Sequence, residues 1–141
     1  MKSLSVVILT FNSEKRILEV LQSAKFADEI IVVDSGSQDK TLEIAAEFTD
    51  KIFKRSWPGY SPQWNFAIGQ ASGDWIFVLA SDEVITAGLR QDIREITGKN
   101  SQECNGYYTK RLAFFLGKPI YHCGWYPGYE LRLFRMSLIH I

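Results

Sequence analysis

The sequence predicts an α/β domain built on a mainly parallel β-sheet, with helices on both faces and a C-terminal antiparallel segment. Three observations predict it. Short apolar runs rich in β-branched residues recur over residues 3–80, as expected for strands that are buried on both faces. Segments with helical spacing separate these runs, and strands alternating with helices favour βαβ units. The composition then changes near Gly106, where the antiparallel segment is expected.

The first two strands follow from continuous apolar runs. The first run covers 3–11, and Asn12 and Ser13 after it can cap a helix with apolar positions from Ile17 to Ala24. The second run covers 29–34. It is followed by a turn over 35–39, a short helix over 40–48 and a short strand over 51–54.

A further helix, strand and helix complete the parallel part. Ser61 followed by Pro62 is a good helix start, and Gly73 is expected to end that helix. The run 75–79 predicts another buried strand. The last helix is marked by three apolar residues at helical spacing, which are Leu89, Ile93 and Ile96.

Composition excludes several classes of protein. The 141 residues are 46% hydrophobic, too many for a disordered chain, and sixteen basic residues balance sixteen acidic ones. Zero net charge argues against a nucleic-acid binder that relies on bulk electrostatics. No apolar run approaches the roughly 20 residues of a membrane span, residues 1–12 show no signal-peptide pattern, and two cysteines make no disulfide scaffold. We therefore expect a cytoplasmic location.

The zero net charge hides an asymmetry. Residues 1–105 carry a net charge of −4, whereas residues 106–141 carry +4 and nine of the nineteen aromatic residues. The aromatic rings of this tail could form the core of an antiparallel segment covering the sheet, with a hairpin turn over 116–119. They could also stack on sugar faces while arginines bind phosphates.

Polar residues follow three of the predicted strands. Thr10, Phe11 and Asn12 follow the first, residues 34–37 follow the second, and residues 80–83 follow the fourth. In parallel sheets, ligands bind beyond the carboxyl ends of the strands, so these residues should converge on one site. Carboxylates there suit hydroxyl groups, a base N–H, or a hard divalent cation that holds a diphosphate.

Each of these features also has a structural explanation. Residues 35–39 could be only a tight turn with a helix cap, since they lack the GxGxxG spacing and the P-loop lysine. Asp82 and Glu83 could belong to a solvated loop, and Trp64 fits a core position better than a stacking platform.

Three ordered motifs resemble those of family-2 glycosyltransferases with the GT-A fold. They read SVVILTFN at 5–12, IVVDSGSQDKT at 31–41 and GDWIFVLASDE at 73–83. The segments 111–120 and 122–135, together with WPGY at 57–60 and QWN at 63–65, resemble the branch that adds sugars to the lipopolysaccharide core. The resemblance covers residues 3–135 and implies a nucleotide-sugar donor, in particular a UDP-hexose.

The resemblance implies roles for named residues. Thr10, Phe11 and Asn12 would line the nucleoside pocket, and Asp34 would accept hydrogen bonds from the base or ribose. Asp82 would ligate Mn²⁺ or Mg²⁺ at the donor diphosphate. The full set of implied donor-binding residues is Thr10, Phe11, Asn12, Asp34, Ser37 and Asp82.

The acceptor implied by the resemblance is a lipid-linked saccharide of the cell envelope, with transfer by inversion. Residues 1–105 would form the nucleotide-sugar half and 106–141 the start of the acceptor half. Peripheral contact with the inner face of the cytoplasmic membrane is expected, and nucleic acid is not a partner. The implied acceptor-binding residues are Glu83, Arg111, Trp125, Tyr126 and Arg132.

Two departures from the family pattern bear on activity. The usual Leu-Asp-Ala-Asp-Glu reads Leu-Ala-Ser-Asp-Glu, so Ala80 replaces the first aspartate and weaker binding of metal and donor is expected. The family's base lies in a later acidic motif, but no acidic residue follows Glu130. Glu83 is the substitute candidate for that base. We expect either the front part of a longer enzyme or a truncated, weakly active chain.

Two other functions fit the same residues. A nucleotide-sugar-binding protein without turnover would keep the donor pocket and lack the base. An unrelated flavodoxin-like or phosphate-binding module would share only the α/β architecture.

Overall fold

The computed structural model describes residues 3–98, 106–111, 113–115, 118–120 and 128–136, and it describes only the backbone for 108–111, 113–115, 118–120 and 128–131. The strands are β1 (Leu4–Thr10), β2 (Glu29–Asp34), β3 (Ile52–Lys54), β4 (Trp75–Ala80), β5 (Gly106–Arg111), β6 (Ala113–Phe115), β7 (Lys118–Ile120) and β8 (Gly128–Arg135). The helices are α1 (Ile17–Ser23), α2 (Thr41–Ala45), α3 (Tyr60–Gly69) and α4 (Ala87–Gly98).

Six strands form one sheet in the order β3-β2-β1-β4-β8-β5. The first four are parallel, whereas β8 pairs antiparallel with both β4 and β5. The predicted α/β class, with its parallel sheet and antiparallel C-terminal segment, is confirmed. Strands β8 and β5 extend the sheet at its edge, so for these two strands the expectation of a segment covering the sheet is wrong. Strands β6 and β7 form a separate antiparallel pair, so Lys118 and Pro119 lie in a strand and not in the turn.

Alternate strand residues pack on opposite faces of the sheet. Val6 and Ile8 of β1 join a core cluster with α1, α2 and α4, while Val7 joins the cluster that contains Ala67 of α3. This alternation follows from the two-residue period of a strand. The predicted helices on both faces are therefore confirmed, and the buried strand runs were correctly predicted from their apolar sequences.

Several helix ends differ from prediction. Helix α1 begins at Ile17 without a side-chain cap, because the backbone carbonyl of Ser13 receives the first hydrogen bonds. Helix α2 is shorter than the predicted 40–48. Helix α3 begins after Gly59, at φ 110°, and ends at Gly69. Gly73 therefore does not end the helix. It permits a close approach to β1, since a Cβ there would lie 2.6 Å from the Ser5 Oγ.

Within the described parts of the chain, no helix combines the length and the apolar character that crossing a bilayer requires.

Candidate functional site

A cavity of about 650 Å³ opens at the carboxyl ends of β1, β2 and β4. This is the edge at which open α/β sheets bind ligands. The cavity is lined by Leu9, Thr10, Phe11, Ser35, Trp57, Tyr60, Trp64, Ala80, Ser81 and Asp82.

Three of the six predicted donor-binding residues line this cavity. Thr10 is buried at the end of β1, whereas Phe11 is 58% exposed and Asp82 is exposed in the turn after β4. The parallel register explains the convergence, because Thr10 pairs with Asp34 of β2 and Leu9 pairs with Ala80 of β4. Asn12, Asp34 and Ser37 are not among the lining residues.

Asp34 lies in a closed hydrogen-bond network beneath the cavity. It is 0% exposed. Its Oδ1 accepts from the hydroxyls of Thr10 at 2.8 Å and Ser37 at 2.5 Å, and its Oδ2 accepts from the N–H groups of Gly36 at 2.9 Å and Ser37 at 2.7 Å. A direct contact between Asp34 and a donor therefore stays a prediction, one that requires these bonds to be exchanged. Ser35, which the sequence did not single out as a ligand, faces the cavity instead.

Asn12 and Ser37 join the loops that follow β1 and β2. Asn12 adopts a left-handed conformation, φ 46°, which asparagine tolerates better than most residues. Its N–H donates to the Ser37 Oγ at 2.7 Å, and its Oδ1 accepts from the N–H of Gln38 at 2.9 Å. These contacts tie the loop that carries Phe11 to the loop that follows β2.

Asp39 also connects the loop that follows β1 with the loop that follows β2. Its Oδ2 accepts from the N–H of Glu14 at 3.2 Å, and its Oδ1 accepts from the Thr41 N–H at 3.0 Å and Oγ1 at 2.5 Å. The hydrogen bond from the Thr41 hydroxyl is the main cause that lowers the pKa of Asp39 below 3.8. The predicted turn over 35–39 is thus confirmed, and it also braces the preceding loop.

An aromatic wall, formed by Trp57, Tyr60 and Trp64, closes one side of the cavity. The rings of Trp57 and Tyr60 meet edge to face, with centroids 4.8 Å apart at 90°. Trp57 is 47% exposed and Tyr60 is 73% exposed. The sequence predicted a core position for Trp64, which is partly buried against the Ala67 cluster and also lines the cavity. It gave Trp57 and Tyr60 only as part of the WPGY motif, without a role in the site. The available signal was their position on either side of Pro58 and Gly59, a pair typical of loops, where aromatic rings often have no core to enter.

A buried glutamine supports this side of the cavity. Gln63 is 0% exposed, and its Nε2 donates to the carbonyl of Arg55 at 3.2 Å and, more weakly, to the Ser35 Oγ at 3.4 Å. With Gln63 as the donor, the Ser35 hydroxyl hydrogen is available to another acceptor.

The turn after β4 is held by an ion pair. Glu83 accepts from Arg132 of β8 through both carboxylate oxygens, at 2.6 and 2.8 Å. Both were predicted to bind an acceptor. The structure brings them together, and that role stays a prediction.

The metal prediction concerns Asp82. Among the described residues that line the cavity, Asp82 is the single carboxylate, and the described chain contains no group of three or more acidic, His or Cys side chains suited to a metal. One exposed carboxylate fits a cation whose remaining ligands are diphosphate oxygens and water, as is common for Mg²⁺.

Of the other predicted acceptor-binding residues, Trp125 and Tyr126 lie outside the described residues, and Arg111 is described only as backbone in β5.

Comparison with known proteins identifies a family. The model of Glycosyl transferase family 2 matches residues 5–125. An uncharacterized glycosyltransferase of Rickettsia typhi is 34% identical over 119 residues, which cover 83% of this chain and 41% of that protein. The lipopolysaccharide core biosynthesis glycosyltransferase LpsC of Rhizobium meliloti is 30% identical over 119 residues, covering 81% and 44%. The chain thus spans about two fifths of the length of these relatives.

Solved structures share the fold. Staphylococcus aureus TarS (residues 1–349) matches with a TM-score of 0.60 at 24% identity, over 98% of this chain and 48% of that one. Glucosyl-3-phosphoglycerate synthase of Mycobacterium tuberculosis, crystallised with Mn²⁺, UDP-glucose and phosphoglyceric acid, matches with a TM-score of 0.50 at 27% identity, over 57% and 33%.

Proposed function

The chain belongs to glycosyl transferase family 2, and on that premise we propose that its cavity binds a nucleotide-sugar for transfer of the sugar to a cell-envelope saccharide. The observation that carries the proposal is the cavity at the carboxyl ends of the parallel strands, where Thr10, Phe11 and Asp82 converge. An aromatic wall and a carboxylate in one cavity suit a ligand with a flat base at one end and a metal-bound diphosphate at the other.

The proposed donor is a UDP-hexose. The complex of the Mycobacterium tuberculosis synthase with UDP-glucose and Mn²⁺ supports this choice. In this chain the base would lie against the rings that line the cavity, those of Phe11 and the aromatic wall, and the Ser35 hydroxyl would donate to the base or to the ribose. Asn12, Asp34 and Ser37 would keep the two loops in the binding conformation through the contacts described above.

Asp82 is the proposed ligand of a Mn²⁺ or Mg²⁺ ion that the diphosphate would share. When bound, such an ion neutralises the charge that develops on the departing nucleoside diphosphate. Ala80 supplies no second carboxylate, so we expect the donor to contribute much of the metal coordination. In the absence of the donor, the metal should bind weakly.

The proposed reaction is a direct displacement. An acceptor hydroxyl attacks the anomeric carbon opposite the diphosphate, the bond to the diphosphate oxygen breaks with its electron pair, and the hydroxyl proton passes to a carboxylate base. This gives inversion. Glu83 is a weak candidate for that base, because both of its carboxylate oxygens are engaged by Arg132.

The proposed acceptor is a saccharide of the lipopolysaccharide core or another cell-envelope glycan. The name of the Rhizobium meliloti relative supports it, as does the basic, aromatic composition of residues 106–141. Arg111, Trp125 and Tyr126 are the residues proposed to meet it, and a cytoplasmic location with peripheral membrane contact goes with this proposal.

A nucleotide-sugar-binding protein without turnover is the second candidate. The observations that favour it are Ala80 at the position of the first family aspartate and the engaged carboxylate of Glu83.

Titration of the chain with UDP in the presence of Mn²⁺ or EDTA tests the donor site. We expect binding that Mn²⁺ strengthens and that Asp82→Asn weakens about tenfold or more. Asp50→Asn is the matched control, since Asp50 is an exposed aspartate that precedes β3 at the opposite edge of the sheet. Absence of UDP binding by the wild-type chain would refute the proposal. Binding without release of UDP from UDP-glucose would favour the second candidate.

A further inference from the structure

An arginine of a distant strand contacts the turn that carries Asp82. Residues 80–83 close a tight turn, in which the Glu83 N–H donates to the Ala80 carbonyl at 3.1 Å. The Glu83 side chain folds back, and its Oε1 accepts from the Ala80 N–H at 3.0 Å. The carboxylate of Glu83 therefore braces the turn from within.

Arg132 holds that carboxylate in place. Its Nη1 and Nη2 donate to Oε1 and Oε2 of Glu83 at 2.6 and 2.8 Å, and Nη1 also approaches the Val78 carbonyl at 3.3 Å. The side chains of Arg132 and Glu83 are only 11% and 22% exposed. A planar two-point contact of this kind fixes orientation as well as distance.

The position of β8 makes the contact possible. Because β8 lies beside β4 in the sheet, an arginine 49 residues away in sequence reaches the end of β4. Asp82 lies between the two braced residues Ala80 and Glu83, and it faces the cavity.

We propose that Glu83 and Arg132 are positioning residues, which orient Asp82 toward the cation and diphosphate of the donor. The proposal rests on the proposed function for what Asp82 binds. It assigns Glu83 a structural task in the donor site in place of proton transfer. Outer contacts that orient a metal ligand commonly change metal affinity by 10- to 100-fold, so the pair should act on metal-dependent binding in particular.

The first test measures the turn without any ligand. Amide hydrogen exchange at Ala80 should become faster in Arg132→Gln and in Glu83→Ala, while exchange at Ile76, near the start of β4, stays the same. The matched control is Arg135→Gln, because Arg135 also lies on β8 but contacts Trp75 at the other end of β4, with its guanidinium carbon 4.6 Å from the ring centroid. Unchanged exchange at Ala80 in both variants would overturn the proposal.

The second test measures UDP affinity in Mn²⁺ and in EDTA. Arg132→Gln and Glu83→Gln should lose roughly tenfold in the presence of Mn²⁺ and less than about twofold in EDTA. Arg132→Lys, which keeps the charge without the two-point contact, should recover part of the loss. An equal loss with and without Mn²⁺, or none, would overturn the positioning role.

The two tests separate this inference from the proposed function. If the wild-type chain binds no UDP, the proposed function fails, and the exchange rate at Ala80 still decides whether the pair braces the turn. If UDP binds and Glu83→Gln abolishes turnover without changing the Mn²⁺-dependent affinity, Glu83 is a base and the inference is wrong.

Discussion

The two edges of the parallel sheet differ in what their polar side chains enclose, since those at the amino edge bond one another directly, whereas those at the carboxyl edge lie beneath and around an open cavity. At the amino edge, Glu29 accepts from the Ser5 hydroxyl at 2.8 Å and from the N–H and hydroxyl of Ser72 at 2.9 and 2.6 Å, and Lys51 completes the cluster. At the carboxyl edge, exposed rings and a single carboxylate surround an open cavity. This difference supports the proposal that the carboxyl edge is the binding edge, with the amino edge contributing to stability.

The exposed apolar side chains have the same asymmetry. Of the five large hydrophobic side chains that are exposed among the described residues, three line the cavity, namely Phe11, Trp57 and Tyr60. Grouped exposed rings at one edge are a mark of a binding surface, whereas single ones elsewhere need no explanation.

Gly73→Ala should have the largest effect, and it should act on stability alone. A Cβ at this position would lie 2.6 Å from the Ser5 Oγ and 2.9 Å from the Ser5 backbone nitrogen, so the backbone must shift. We expect a loss of about 2–3 kcal/mol in the free energy of unfolding, measured by urea denaturation. Gly69→Ala is the control, because an added Cβ there would meet no atom within 4 Å apart from its own neighbouring helix backbone. Equal stability of the two variants would contradict a stabilising role for the amino edge.

Glu29 should make the amino edge sensitive to acid. Burial of its carboxylate raises the pKa, but the hydrogen bonds from Lys51, Ser72 and Ser5 outweigh burial and lower the pKa from 4.5 to about 2. The folded state therefore binds this proton less readily than the unfolded state. Its stabilisation is complete above pH 4.5 and is lost as the pH falls toward 2.

Glu29→Gln should accordingly cost on the order of 2 kcal/mol at pH 7 and progressively less at lower pH. Urea denaturation of both proteins at pH 7, 4.5 and 3 measures the difference. A constant difference across that range would show that the charge of Glu29 contributes nothing.

Trp57→Ala should weaken ligand binding and leave stability nearly unchanged. Because Trp57 is half exposed and packs against Tyr60 at the cavity, its removal should weaken UDP binding about tenfold and leave the unfolding free energy within about 0.5 kcal/mol of wild type. Leu18→Ala is the control, since Leu18 is 44% exposed on α1 and does not line the cavity. A large loss of stability in Trp57→Ala would place this ring in the core.

Ala80→Asp should have the smallest effect. A second carboxylate near Asp82 should tighten Mn²⁺-dependent UDP binding by roughly threefold, since it adds a hard oxygen ligand. Ala80→Asn, similar in shape and uncharged, should give no gain. Calorimetric titration of both variants with UDP and Mn²⁺ measures this, and equal affinities would mean that Ala80 is neutral.

The sequence was sufficient for the parallel core and for three cavity residues. Apolar runs bounded by turn residues predict buried strands without reference to the rest of the chain, and the strand ends then place Thr10, Phe11 and Asp82 at the cavity. The cap assigned to Asn12 and Ser13 was wrong because the side chain of Asn12 bonds the neighbouring loop instead. A local sequence pattern does not show that a residue distant in sequence, here Gln38, competes for the Asn12 side chain.

The burial of individual polar residues and the pairing of distant segments could not be predicted from the sequence. An aspartate at a strand end is equally compatible with facing a ligand or with bonding its own turn, and Asp34 bonds its turn. The pairing of Glu83 with Arg132 depends on β8 lying between β4 and β5. Nothing in the spacing of the two residues indicates that strand order.

The strand order also has a consequence for the timing of folding during synthesis. Strands β1, β2 and β4 pair within the first 80 residues, whereas β8 is made some fifty residues later and must still reach the side of β4. Contacts between segments so far apart in sequence form slowly because of the loop that must close. A nascent chain can therefore hold most of its parallel core while the turn around Asp82 still lacks Arg132. On a ribosome, full metal-dependent affinity for a donor would emerge only after the parallel part of the sheet has formed.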